Sequence, residues 1–442
     1  MKWLTVHLGE IAIDMQPGFA MQPDRGQAGI PHLRTNNVSE DGRLDLSLIK
    51  RVMPSKEQIE KYSLLPGDIL FNNTNSKELV GKTAFFNENG QFLFSNHMTR
   101  IRVDEKIADH RFIARYLHWI WRTGGFRAMV TQWVNQAAIN RSQLARIPLS
   151  LPPLSEQRRI VEILDQADAL RRKRAEADAK AERILPALFI KMFGNPVTNP
   201  KGWDAFELGD LCTKITSGSR GWAKYTGRGD AFFVRTQDIN DGEISGDLLA
   251  VDPPSGAEAE RTRLCCGDVV VTITGMVGKA AVFRAQCQNM YVSQHVALLR
   301  PRPSLESEYL AAFANFLAGS VPVLARFQYG QTKPGLGFRE LRAARIPLPP
   351  IELQRQFVSQ AQNIRTLRRN RYCAGAKLEE LWSTLLQRAF SGQVTARWRE
   401  AHMQEILAGM KQQAKWLTGE STRGGRQTPR LQQSLFREEM PK

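Results

Sequence analysis

The stretch RIPLSLPPLSEQRRI, residues 146–160, returns as RIPLPPIELQRQF at residues 345–357. Each copy closes a globular pattern and opens a long charged helical one. Adjacent prolines cannot continue a helix, so Pro152-Pro153 and Pro349-Pro350 mark the point where one pattern ends and the other begins. The chain is therefore read as two heads and two rods.

The duplication extends through both halves. HLGEIAIDMQPG (residues 7–18) answers to ELGDLCTKITSG (207–218), and RTNNV (34–38) to RTQDI (235–239). PGDILFNNTN (66–75) answers to CGDVVVTITG (266–275), VGKTAFF (80–86) to VGKAAVF (277–283), and SNH (95–97) to SQH (293–295). The offset stays between 197 and 201 residues, which gives two large copies and no solenoid of short units. Short apolar runs such as DILF and DVVV, broken by Gly, Asn and Asp, predict strands. Helical patterns follow them, near residues 109–134 and 307–327. Each head is expected to be a mixed α+β domain with a twisted sheet, over residues 1–150 and 196–350.

After the first prolines, Ser155 has the side chain of an N-cap and Glu156 suits the positive end of a helix. The helical pattern of residues 151–195 stops at Gly194 and Pro196, and Pro186 is expected to kink it. Such a helix is on the order of 58 Å long at 1.5 Å per residue. Ile160, Leu164, Ala167, Leu170 and Leu188 keep heptad-like spacing. Moving on 197 residues, across 351–395, gives Phe357, Ala361, Ile364, Leu367 and Leu385. Two matched seams in one chain are expected to pack as an antiparallel, coiled-coil-like pair, related by a pseudo-twofold axis, with a head at each end. Arg171-Arg172 and Arg368-Arg369 are assigned to the wet face. Residues 396–442 have no counterpart in the first half. HMQEILAGMKQQAKWL fits an amphipathic helix, and the segment as a whole reads as a basic, flexible tail.

The net charge of the 442 residues is +17, which favours a polyanionic partner such as nucleic acid. Residues 1–150, 151–195, 196–350 and 351–442 carry +5, +2, +2 and +8. Heads so mildly basic must gather their cations on one face and rely on specific contacts. The five cysteines are odd in number and have no CxxC spacing, so neither a disulfide framework nor a zinc site is indicated. Reduced thiols, an N-terminus without a signal-type apolar stretch, and no apolar run of membrane-spanning length lead to a cytoplasmic expectation.

The paired segments IPLSLPPLSEQRRIVEILDQADALRRKR and IPLPPIELQRQFVSQAQNIRTLRRNR, with their heads, resemble the specificity subunits of type I restriction–modification systems. The resemblance covers residues 1 to about 393. The first copy departs by carrying Ser150-Leu151 before its prolines, which is expected to shift the first rod relative to its head. The resemblance implies that each head is a target-recognition domain and that the helices are spacers. It further implies double-stranded DNA as ligand, with two modification subunits and restriction subunits as partners. S-adenosylmethionine, ATP and Mg would belong to those partners, and this chain would hold no cofactor or metal.

Catalytic patterns are absent from the sequence. Gly81-Lys82-Thr83 lacks the first glycine of a phosphate loop, where Ser76 stands, and its copy Gly278-Lys279-Ala280 has Ile273 there. No dinucleotide fingerprint follows a strand. The Asn-Pro pairs of GNPVTNP (194–200) lack the second proline and aromatic of an adenine methyltransferase motif. His97 and His295 are read as structural histidines.

Binding chemistry remains. Arg34, Thr35, Asn36 and Asn37, with their copies Arg235, Thr236, Gln237 and Asp238, have side chains suited to base edges. An arginine shared by both copies leans towards scaffold or phosphate contact. Asn72, Asn73, Thr74, Asn75 and Lys77 differ from their counterparts around Thr272 and Thr274, as two different targets require; turn formation is the competing assignment. Lys82 and Lys279 fit either a phosphate contact beside a small residue or a solvated lysine. Gln136, Asn140, Arg141, Gln331 and Lys333 lie where head meets rod, open to DNA contact or to anchoring the junction. The reading is a non-enzymatic DNA-recognition subunit for a split, asymmetric site. The alternatives are a stand-alone DNA-binding regulator and a fused nuclease or methyltransferase.

Overall fold

The computed structural model describes residues 3–24, 28–132, 136–218, 226–240, 242–252, 256–284, 289–318, 321–328 and 335–418. They fold as two units, Met1–Arg172 with the chain from Lys377 onward, and Lys173–Ala376. The fold is α+β, with the same mixed domain built twice.

In the first unit a four-stranded antiparallel sheet has the order Ala12–Pro17, Met98–Val103, Ile69–Asn72, Thr83–Phe85. In the second the order is Cys212–Ser217, Val296–Pro301, Val269–Thr272, Ala280–Val282. Successive side chains of a strand point to opposite faces. Ile69 and Phe71 accordingly enter one core with Phe112 and Ile113, while Leu70 enters another with Leu33 and Phe94. Val269 and Val271 are divided from Val270 in the same way. Both faces are covered, so these strands read as continuous apolar runs without alternation. A three-stranded sheet accompanies each. Ile30–Leu33 lies between antiparallel Lys50–Val52 and parallel Leu93–Phe94. Thr226–Val234 lies likewise between Leu249–Val251 and Met290–Val292.

The head landmarks are largely scaffold. Gly67 and Gly267 take φ of 103° and 90°, a left-handed turn that favours glycine. The aspartate that follows is buried and bonded by an arginine of the neighbouring strand. Arg102 pairs with Asp68, and Arg300 holds Asp268 at 2.7 and 2.8 Å.

The IPL segments close each head by strand pairing. Pro148–Leu151 runs antiparallel to Leu4–His7, and Arg345–Pro347 to Ala205–Glu207. The extra Ser150-Leu151 lengthens the first pairing, opposite Thr5 and Leu4. A buried glutamine then ties head to rod in both copies. Gln157 accepts from the Asp109 amide at 2.8 Å and donates to Pro152 and Ile107 carbonyls. Gln354 accepts from the Glu306 amide at 2.9 Å and donates to Pro349 and Ser304. This is the physical content of the repeated EQRR and LQRQ.

The long helices span Leu154–Glu182 and Ile351–Phe390. The first begins at Leu154, with the Pro153 carbonyl accepting from Gln157, so Ser155 lies inside the helix and is not its cap. It breaks at Arg183 and resumes over Ile184–Phe193. Pro186 has no N–H for the Glu182 carbonyl, and that carbonyl instead accepts from Arg368 at 3.2 Å. Gly194 ends it at φ 83°, where a Cβ would meet Pro200 at 2.9 Å. Within the first unit Arg171 lies 4.7 Å over the Trp382 ring and bonds Glu379. Within the second, Arg174 donates to the Arg371 carbonyl at 2.8 Å, Arg371 pairs with Asp178, and Arg368 with Glu182. One number rises as the other falls, so the pairing is antiparallel.

Several expectations need correction. The seam is apolar only where it joins a head. Ile160 and Leu164 are buried with Leu386 and Phe390, and Phe357 and Ala361 with Phe189. Ala167, Leu188 and Leu385 pack at the margins and Ile364 is half-buried, but Leu170 and Leu367 are 65% and 62% exposed. Salt bridges take the place of apolar contacts away from the head in each unit, which is why Arg171 in the first and Arg368 in the second sit in the helix pairing and off the wet face. The head helices are short, His110–Arg122 and Ser307–Asn315. The first stops because Gly124, at φ 75°, turns the chain. The C-terminal segment is no loose tail over residues 396–418. Ala396–Ala401 and Met403–Thr418 are helices held to the first unit. Glu156, fully buried, accepts from Arg399 at 2.7 Å, Thr395 at 2.6 Å and Trp3 at 3.1 Å. Gln413 donates to Ile107 and Pro152, and Trp416 to Asp104.

Candidate nucleic-acid interface

The residues expected to touch DNA fall into two groups. One group is bonded within the protein, and most of it is buried. Asn37 accepts from the Arg34 amide and donates to the Asp45 carbonyl at 2.8 Å, capping a short turn. Asn72 is buried and donates to the Thr35 carbonyl at 3.0 Å. Asn73 donates to Thr99 at 3.1 Å. Lys82 is neither solvated nor available to phosphate: it is buried and its ammonium donates to the Val38 carbonyl at 2.5 Å. Burial pushes its pKa down, opposed by Glu40. Its small neighbour serves packing, because a Cβ on Gly81 would meet the Phe126 ring at 2.2 Å.

In the second unit Asp238 is buried and paired twice by Arg235, at 2.9 Å each, which raises the arginine's pKa. Thr272 is buried and accepts from the Lys279 amide. Asn140 caps the helix Arg141–Ala145 through the Gln143 amide at 2.9 Å, so it anchors the junction.

The second group has side chains open to a ligand. Asn36, Lys77, Gln136, Arg141 and Gln237 are exposed. Arg34, Thr35, Thr236, Thr274 and Lys279 are half-buried, as are Thr74 and Asn75, which form a small strand against Ala137–Ala138. Gln331 and Lys333 lie outside the described residues. His97 is exposed, contrary to its expected structural role; its main-chain carbonyl accepts from the amides of Asn73 and Thr74. His295 contacts Gln294 at 3.2 Å.

Arg34, Thr35, Asn36 and His97 are brought together on one cleft of the first unit, of about 600 Å³. Sequence reasoning missed the rest of its lining, residues 20–23 with His32, Ser95 and Asn96. The repeat itself held a signal: His32 aligns with Phe233, and Asn96 with Gln294. The equal arginines differ in state. Arg34 makes no ion pair among the described residues, whereas Arg235 is clamped by Asp238, because position 37 is Asn and position 238 is Asp.

Among the described residues no group of His, Cys, Asp and Glu could hold a metal, and no helix is long and apolar enough to cross a membrane. Burial raises the Cys212 thiol pKa to about 12, leaving it protonated at neutral pH.

Residues 1–178 and 200–366 match the family model described as the type I restriction modification DNA specificity domain. A Methanocaldococcus jannaschii chain assigned as the type I restriction enzyme MjaX specificity subunit is 25% identical over 399 residues, covering 82% of this chain and 86% of that one. The Escherichia coli type I restriction enzyme EcoBI specificity subunit is 22% identical over 457 residues, covering 92% and 89%. A chain from a structural study of complex assembly and conformational transition of the type I R-M system superposes with a TM-score of 0.58. It is 21% identical and covers 89% of this chain and 98% of its own, a likeness of fold.

Proposed function

The chain belongs to the type I restriction modification DNA specificity family, a non-catalytic DNA-recognition role, and from that premise we propose how its parts divide the work. Each mixed domain reads one half of a split, asymmetric sequence in duplex DNA. The antiparallel helices set the unread gap between the halves and dock two modification subunits, to which restriction subunits add. S-adenosylmethionine, ATP and Mg act in those partners, and the complex works in the cytoplasm.

The observation that carries this reading is the duplicated domain whose scaffold is kept and whose exposed polar side chains diverge. Linking two small footprints rigidly turns the second binding event into an intramolecular one, so modest contacts give high affinity. Leu170, Leu367, Tyr372 and Leu381 stand exposed on the long helices, apolar anchors of the kind a docking partner covers.

Methylation-sensitive sequencing of DNA from cells with and without the gene tests the proposal. Adenine methylation at one split sequence should vanish on deletion. Unchanged methylation, with sequence-specific binding by the isolated chain, would favour a stand-alone regulator.

A further inference from the structure

The cleft of the first unit is bounded by residues 20–23, 34–36 and 95–97, with His32 in its floor. His32 is 1% exposed and Ser95 6%. Neither ring nitrogen of His32 nor the Ser95 hydroxyl has a hydrogen-bond partner among the described residues. The carbonyls of Phe19 and Phe94 lie against the ring and partly raise its pKa, so its nitrogens are at best weakly satisfied from within the protein. Leaving a buried polar group unpaired destabilises a fold. Poorly satisfied groups gathered in one concavity fit a site completed from outside.

The rim has matching chemistry. Asn36, Asn96 and His97 are exposed and offer both donors and acceptors. The Arg34 guanidinium has no counterion among the described residues to neutralise it. Burial and Arg34 hold His32 neutral, so its ring presents one donor and one acceptor nitrogen. An asparagine amide fits adenine N6/N7 and an arginine fork fits guanine O6/N7. The repeat-related serine, Ser293, is also without a partner for its hydroxyl. There, however, Arg235 is spent on Asp238, and Gln294 lies against His295.

We propose that this cleft is where the first domain reads base edges, with Arg34, Asn36, Asn96 and His97 in contact and His32 and Ser95 closing its floor. The inference rests on the DNA-recognition reading above and assigns it to particular side chains.

The test uses the full chain in the complex purified from its own cells. Bound duplexes are selected from libraries randomised in each half of the target and sequenced. Asn36→Ala and the pair Asn96→Ala with His97→Ala change only exposed side chains, and thermal melts check that they fold. The expected result is roughly a tenfold loss of preference at one half-site, with the other half-site and the slope of affinity against salt unchanged. Arg34→Ala should do the same with a slightly smaller salt slope. Folded variants that keep the wild-type preference would overturn the cleft while leaving DNA recognition standing. Uniform weakening across all sequences with a reduced slope would also overturn it, in favour of phosphate contact. A wild-type complex without sequence preference would remove the underlying reading, and the cleft with it.

Discussion

Equal residues in the two copies do unequal work, and the difference is measurable. Arg235→Ala strands the buried Asp238 carboxylate and should cost the second unit about 1–3 kcal/mol. Arg34→Ala breaks no ion pair among the described residues and should stay within about 0.5 kcal/mol. Denaturant unfolding of both variants decides the matter. The first unit also carries a pH dependence of its own. His118 is buried against the Glu40 carbonyl, and burial lowers its pKa to about 4, as it does for His32. The unfolded histidines, near 6.5, bind more protons than the folded ones between these values. Stability is therefore full well above pH 6.5 and falls towards pH 4, by at most roughly 1 kcal/mol per pH unit for each histidine. His118→Asn, the residue found at the matching position 315, should remove one such contribution in melts between pH 7.5 and 5. These roles were hidden in the sequence. A lysine beside a glycine looks alike whether it meets a phosphate or, as Lys82 does, a carbonyl 44 residues away.

Helices and strands were far more legible than side chains. Pro-Pro, Gly194 and Pro186 act locally, so the ends and the break of the first long helix could be read directly. Continuous apolar runs such as DILF are strands because both sheet faces are covered. The heptad seam misled at Leu170 and Leu367 because spacing records where an apolar residue stands, not what lies opposite. Arg171 within the first unit, and Arg174, Arg368 and Arg371 within the second, make polar contacts that periodicity does not register. The helix Met403–Thr418 was legible in its amphipathic pattern, but the docking of the C-terminal segment on the first unit was missed for a related reason. The anchor is Glu156, and its repeat position holds Leu353, so the duplication gave no precedent. Glu156→Ala leaves Arg399 without its carboxylate and should destabilise the first unit by about 3–5 kcal/mol in denaturant melts, with little change in the second. Leu164→Ala, fully buried, should cost the same unit about 2–5 kcal/mol. Leu170→Glu with Leu381→Glu should leave melting nearly unchanged but weaken association with the modification subunit in co-purification.

For the molecule as a whole, the duplication was the most readable feature, because two copies of one scaffold are visible without knowing what either touches. The family match over residues 1–178 and 200–366 agrees with it. Unread is the target itself, since base preference depends on a few rim side chains and not on the frame. If the paired helices act as a ruler, removing one turn from both together should shorten the unread gap and preserve both half-sites in the methylation pattern. The most direct measurement is of recognition by halves. Residues 1–150 are exchanged for the corresponding domain of a relative with a different target, and the methylated sequence is determined in cells. One half of the sequence should change, with the other half and the gap retained. A change in both halves, or in neither, would contradict the division of recognition between two independent domains.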